Sequence, residues 1–204
     1  MKPVGILTAY VAARGVTRRG LAAYAVTWLA VAFAARFSMS ALGLQFAPPG
    51  SAALDTVAVV LMLLPAGLLA GFLASQAPSL EATRSRRRHP AQLLWVGMIA
   101  VVAVLTPWLA LPLLPGAVDP GAFFATWCLT VGVWFVLAFF VPAVVAGAGT
   151  FGVLALFSTP GLVPWEQNIV YNLNEKPVAA GVAAAAFLGG VALQAVKRQR
   201  LRLL

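Results

Sequence analysis

Long apolar stretches, punctuated by tight clusters of positive charge, constrain this chain more than any other feature. Twelve of its fourteen Lys and Arg residues fall in three places. These are an N-terminal segment (Lys2, Arg14, Arg18, Arg19), a central loop (Arg84, Arg86, Arg87, Arg88) and a C-terminal tail (Lys197, Arg198, Arg200, Arg202). Between the clusters lie uncharged or nearly uncharged runs long enough to cross about 30 Å of hydrocarbon at about 1.5 Å per residue. Short loops rich in Lys and Arg stay on the cytoplasmic side, so all three clusters are expected there.

The spans follow from this. They are expected at about residues 21–44, 52–74, 92–114, 121–145, 147–163 and 178–196. The fourth and fifth come from one uncharged run of 43 residues, 121–163, too long for one crossing and suited to two. Parity supports the division, because a single crossing would put the basic tail outside. The turn between them is expected near Gly147-Ala148-Gly149-Thr150. The fold class is therefore all-α: a polytopic integral membrane protein with six transmembrane helices and both termini cytoplasmic. Residues 1–20 form an N-terminal interfacial amphipathic segment, 21–196 the transmembrane domain and 197–204 a basic tail. Arg14 and Arg18, four residues apart, suit a helix lying in the interface; a basic arm is the alternative. The first apolar run is weak and interrupted by arginines, unlike a cleavable signal peptide.

With 62% hydrophobic and 9% charged residues, the composition excludes an ordinary soluble domain, where about 25% charged is typical. The net charge of +9 does not imply nucleic acid, since the basic residues sit beside spans and meet lipid headgroups. The lone Cys128 lies in an apolar run and reads as a small packed residue, and His89 as a solvated loop residue. One His, one Cys and five acids leave no haem or zinc ligand set within one subunit. There is no P-loop, no G-x-S-x-G and no paired intramembrane carboxylate, so no catalytic, metal or cofactor residues are assigned. An enzyme is not expected.

Three groups of residues remain as candidates. Arg36, about two-thirds of the way through the first expected span, is costly unless paired, and Asp55 just after the hairpin turn falls at similar depth. They read either as an ion pair locking the first hairpin or as a polar element of a transport path. The second group is the loop 75–91, in which Glu81 precedes Arg84 at helical spacing and Pro78 and Pro90 could bound a short helix. The third is an external segment between the last two spans, where Trp165, Glu166 and Tyr171 suit headgroup anchoring, as a short interfacial helix or an ordinary loop. Small residues also recur at four-residue spacing, at Gly67 and Gly71 and at Gly181, Ala185 and Gly189, as close helix packing requires.

In layout, this arrangement resembles the membrane subunit of type-2 ATP-binding-cassette exporters across the whole chain. That family has an interfacial N-terminal helix, matched here by residues 4–19, and six spans with both ends inside. Its ATPase-docking loop between spans 2 and 3 corresponds to residues 75–91, with Glu81, Arg84, Arg86, Arg87 and Arg88 as the docking residues. Its external re-entrant element corresponds to residues 158–177 with Pro164-Trp165. The resemblance implies a permease subunit of the plasma (inner) membrane, working with a second permease copy or homologue and a separate ATPase subunit. A non-catalytic structural or assembly subunit of a larger membrane complex is the main alternative. A lipid-modifying enzyme or small secondary transporter is the third.

Overall fold

A computed structural model of the chain describes residues 16–37, 57–73, 89–116, 118–158 and 177–200. Those residues form helices joined by turns and short connecting segments, with no strand among them. The helices are α1 (Arg18–Ala34), α2 (Ala58–Leu61), α3 (Leu63–Leu73), α4 (His89–Ala110), α5 (Pro120–Phe140), α6 (Ala143–Ser158) and α7 (Pro177–Arg200), with a 3-10 turn at Leu111–Leu113 after α4. Among the described residues, three stretches are long and apolar enough to cross a membrane: Gln92–Leu113, Pro120–Phe140 and Val178–Val196. Two shorter apolar helical stretches, Ala58–Leu73 and Val144–Leu156, accompany them. The helices are apolar on their outer faces as well, with Phe33, Leu109, Phe140, Val144 and Leu188 all exposed. A helix hydrophobic all round suits lipid rather than water on its open side.

Proline and capping residues set the boundaries. Thr17 accepts the Gly20 N–H at 3.1 Å and caps α1, and the Asp119 carboxylate accepts the Ala122 N–H at 2.8 Å to start α5, with Pro120 at the first position. Pro65 has no N–H and its ring collides with the carbonyl four residues back, at Leu61. The apolar run breaks there, with α2 ending at Leu61 and a turn at Met62 before α3. Pro142 ends α5: Val141 before it is extended, at φ −128° and ψ 162°, as a residue preceding proline prefers.

The 43-residue uncharged run does hold two helices, but they part at Val141-Pro142, not near Gly147 to Thr150, which lie inside α6. Because the helices reverse at that point, α6 lies back along α5. Gly147 packs on the Trp134 ring, leaving only 2.7 Å for an added Cβ.

Contacts fix the relative directions. α1 and α4 run parallel, with Tyr24 bonded to Thr106 and Arg36 near Leu114. The C-terminal end of α3 meets the start of α4, where Trp95 reaches Phe72. Ala103 of α4 meets Trp127 of α5 in antiparallel register. α5 and α7 are parallel, since Cys128 lies near Ala184, and Gly132 near Ala186 and Gly190. Theirs is the most extensive interface between described elements. Successive helical segments therefore alternate in direction. Arg18 and Arg19, the start of α4, the Val141-Pro142 reversal and the C-terminal turns of α7 share one end, while Arg36 and Asp119 lie at the other.

The core between them is aromatic. Trp28 of α1 meets Trp127 of α5 edge-on at 4.7 Å between centroids, with Phe123 at 6.4 Å from Trp28. Tyr24 links this cluster to Phe72 of α3 at 6.5 Å. Val31, Met62, Leu69, Val131 and Phe135 fill the space around these rings.

Candidate functional site

Of the candidate residues, only Arg36 is described in full. α1 ends at Ala34, ten residues short of the expected span end, and Arg36 lies in the turn beyond it, exposed. The guanidinium is thus carried just past the helix C-terminus and not on the helix itself. Asp55, Glu81, Arg84, Arg86, Arg87, Arg88, Trp165, Glu166 and Tyr171 lie outside the described residues, as do residues 1–15 of the interfacial segment. The Val57 N–H donates to the Phe37 carbonyl at 3.2 Å, which sets the residue before α2 beside the turn that carries Arg36.

The polar residues that the structure does bring together were not singled out by the sequence reading. At the end that carries Arg18 and Arg19, Gln92 of α4 and Gln194 of α7 are both 7% exposed. The Gln194 side-chain amide donates to the Phe135 carbonyl of α5 at 2.7 Å, and the Gln92 amide donates to the Gln194 carbonyl at 3.2 Å. Three helices are thus tied at one level through two side-chain amides. Such bonds hold helices together in lipid, where apolar burial gives no preference for helix over lipid tail.

Two indoles do the same with carbonyls that the helices cannot satisfy themselves. Pro107 inside α4 leaves the Ala103 carbonyl without its helical donor, and the Trp127 indole N–H supplies one at 2.6 Å. Phe72, in the last turn of α3, gives its carbonyl to the Trp95 indole at 3.0 Å. Tyr24 joins α1 to α4 through Thr106 at 2.9 Å. Thr106 spends its own proton on the Val102 carbonyl, so the tyrosine is the donor. The available signal for these residues was a glutamine or tryptophan inside an apolar run, at one helical turn from a proline in the case of Ala103.

Glycine packing sorts the small-residue rows. Gly67 lies against Trp134, where an added Cβ would come within 2.7 Å of the ring. Gly71, Gly181 and Gly189 face open space. The row Gly181, Ala185 and Gly189 therefore points away from the described bundle; the intimate contact in α7 is Gly190, against Gly132.

Chemically, the described residues offer hydrogen-bonding and packing groups. Every arginine and aspartate whose side chain is described (Arg18, Arg19, Arg36, Asp119) is exposed. Two open clefts border the end opposite Arg18 and Arg19. One, about 590 Å³, lies between α5 and α7 beside Asp119 and Cys128. The other lies between α1 and the 3-10 turn beside Arg36. Compared with known proteins, the chain matches no family model, no curated protein and no solved structure.

Proposed function

We propose that the chain crosses the plasma membrane six times with both ends cytoplasmic, and serves as the permease subunit of an ATP-driven exporter. In this reading it pairs with a second permease and with separate ATPase subunits. The observation that supports it is the alternation of helix direction. Alternation gathers Arg18, Arg19 and the α7 turns carrying Lys197, Arg198 and Arg200 at one end, as a cytoplasmic face requires. In this reading the 75–91 loop, which follows α3 and precedes α4 in sequence, meets the ATPase.

Topology is tested by cysteine labelling in a Cys128→Ala background. Asn168→Cys is expected to react with an impermeant maleimide in intact cells, and Ser85→Cys only after permeabilisation. Reversed reactivity at either position removes the six-span arrangement.

The exporter assignment is tested by purifying the tagged chain from its native membrane. A P-loop ATPase is expected to co-purify. Replacing Glu81 and Arg84 with Ala, while keeping Arg86, Arg87 and Arg88 as the topology signal, is expected to cut its recovery about tenfold, as losing about 1.4 kcal/mol of contact would. Undiminished recovery makes the loop a topology determinant only.

A second reading, a non-catalytic assembly subunit, is favoured by one feature. No charged side chain lies inside the described core, which is filled with rings and closed by amide and indole bonds. Co-purification with a complex that contains no ATPase would select this reading.

A further inference from the structure

The cleft beside Arg36 combines two chemistries. Its walls are Leu29, Phe33, Pro112, Leu113 and Leu114, and among the described residues Arg36 contributes the one charged side chain. Its volume is about 660 Å³, within the range of about 300–1,000 Å³ that small-molecule sites occupy. The walls are open on one side: Leu29 is 57%, Phe33 62% and Leu113 49% exposed. In a bilayer, an apolar groove of this kind faces hydrocarbon and is filled by whatever chain fits it. Two features of the fold form it. α1 stops at Ala34, so its last turn leaves Arg36 beyond the helix, and a cation beside a helix C-terminus is well placed against the dipole. Pro112 converts the end of α4 into a 3-10 turn, which opens the opposite wall.

We infer that this cleft holds one anionic glycerophospholipid, with an acyl chain along Leu29, Phe33 and Leu113 and the phosphate on Arg36. Charge complementarity selects this occupant. An apolar groove alone would take any chain, whereas a guanidinium at its edge prefers a phosphate carrying net negative charge, with paired N–H donors matching its oxygens. The site lies at the end opposite Arg18 and Arg19, so it is separate from the basic residues that would attract cytoplasmic-leaflet lipid without a groove. It is also independent of the exporter assignment, because nothing in it requires an ATPase or a transported substrate.

The test is native mass spectrometry of the full-length protein released from detergent micelles, titrated with phosphatidylglycerol or with phosphatidylcholine. The wild type is expected to retain a single phosphatidylglycerol and to bind it about fivefold more tightly than phosphatidylcholine, the worth of one cation near a headgroup. Arg36→Gln is expected to abolish that preference, and Arg36→Lys to keep most of it. Leu113→Trp, at an exposed wall position that tolerates bulk without disturbing the core, should weaken both lipids by filling the groove. Thermal unfolding of each variant in the same detergent shows that the fold is retained. Glycerol phosphate in excess should compete poorly, because it lacks the chain. Three results overturn the inference: equal affinity of wild type and Arg36→Gln for phosphatidylglycerol, full competition by glycerol phosphate, or binding that appears only once Asp55→Asn is introduced. The last would mean that Asp55 already occupies Arg36, as in the ion pair expected from the sequence.

Discussion

Gly132→Leu is expected to prevent the protein from accumulating in the membrane, and Gly132→Ala to destabilise it by about 3 kcal/mol, the upper part of the usual range for overpacking. The reason is that the obstacle is backbone. A Cβ at Gly132 would stand 2.5 Å from the Ala186 carbonyl carbon and 2.5 Å from the Phe187 nitrogen. A crowded side chain can change rotamer, but a main chain inside a helix can only move with its helix. From the other side, a Cβ at Gly190 would meet the Gly132 oxygen at 2.8 Å and the Phe135 Cβ at 2.9 Å. The two glycines let α5 and α7 run parallel in near contact, which also sets the depth at which Gln194 reaches Phe135. Gly181→Ala and Gly189→Ala are the controls. Both face open space and should be neutral or gain a few tenths of a kcal/mol from helix propensity, where the full Gly-to-Ala difference is about 1 kcal/mol. Reversible unfolding in mixed micelles measures the difference. Equal stability of Gly132→Ala and Gly181→Ala would remove the α5–α7 contact.

These glycines illustrate what could be read from the sequence. Hydropathy and charge indicated helices where helices are found, because span length is set by a fixed hydrocarbon thickness and needs no knowledge of neighbours. Which glycine packs against which helix depends on the register between α5 and α7, and four-residue spacing within one helix carries no information about that. Spacing therefore marks the row at Gly181 and Gly189 and passes over Gly132 and Gly190. The Val141-Pro142 break was legible in principle. Gly147 and Gly149 drew the turn toward themselves, yet glycine is tolerated within membrane helices when a neighbour packs on it, as Trp134 does on Gly147. Proline, lacking its N–H and restricting the residue before it, was the stronger signal. Hydropathy continues past Arg36 to Leu44. The described helix stops at Ala34, and no local residue marks that end. The candidates in the 75–91 loop and the 158–177 segment lie outside the described residues, so the exporter layout rests on their sequence alone.

Trp127→Ala is expected to cost about 3–5 kcal/mol, the range for emptying a fully buried large aromatic. Trp127 has no exposed surface, packs edge-on against Trp28 and serves α4 through its N–H. The size of that loss does not separate packing from hydrogen bonding, and Trp127→Phe does so more narrowly. Phenylalanine keeps a ring in the core and leaves the Ala103 carbonyl without a donor, an interhelical bond worth about 0.6–2 kcal/mol in lipid. The carbonyl needs that donor because Pro107 cannot supply one. Replacing Pro107 with Ala restores a helical N–H four residues on from Ala103. In the Pro107→Ala background, Trp127→Phe should therefore cost less than in the wild type, by about 1 kcal/mol, a coupling of the size found between residues sharing one hydrogen-bond network. The four proteins of the cycle can be compared by reversible unfolding in one micelle composition, with helicity checked in each. If Trp127→Phe costs the same in both backgrounds, the indole contributes through packing alone and the kinked carbonyl is satisfied by another group. A coupling of the expected sign would make Pro107 and Trp127 a single device, in which a proline opens one helix and a tryptophan from the next one closes it.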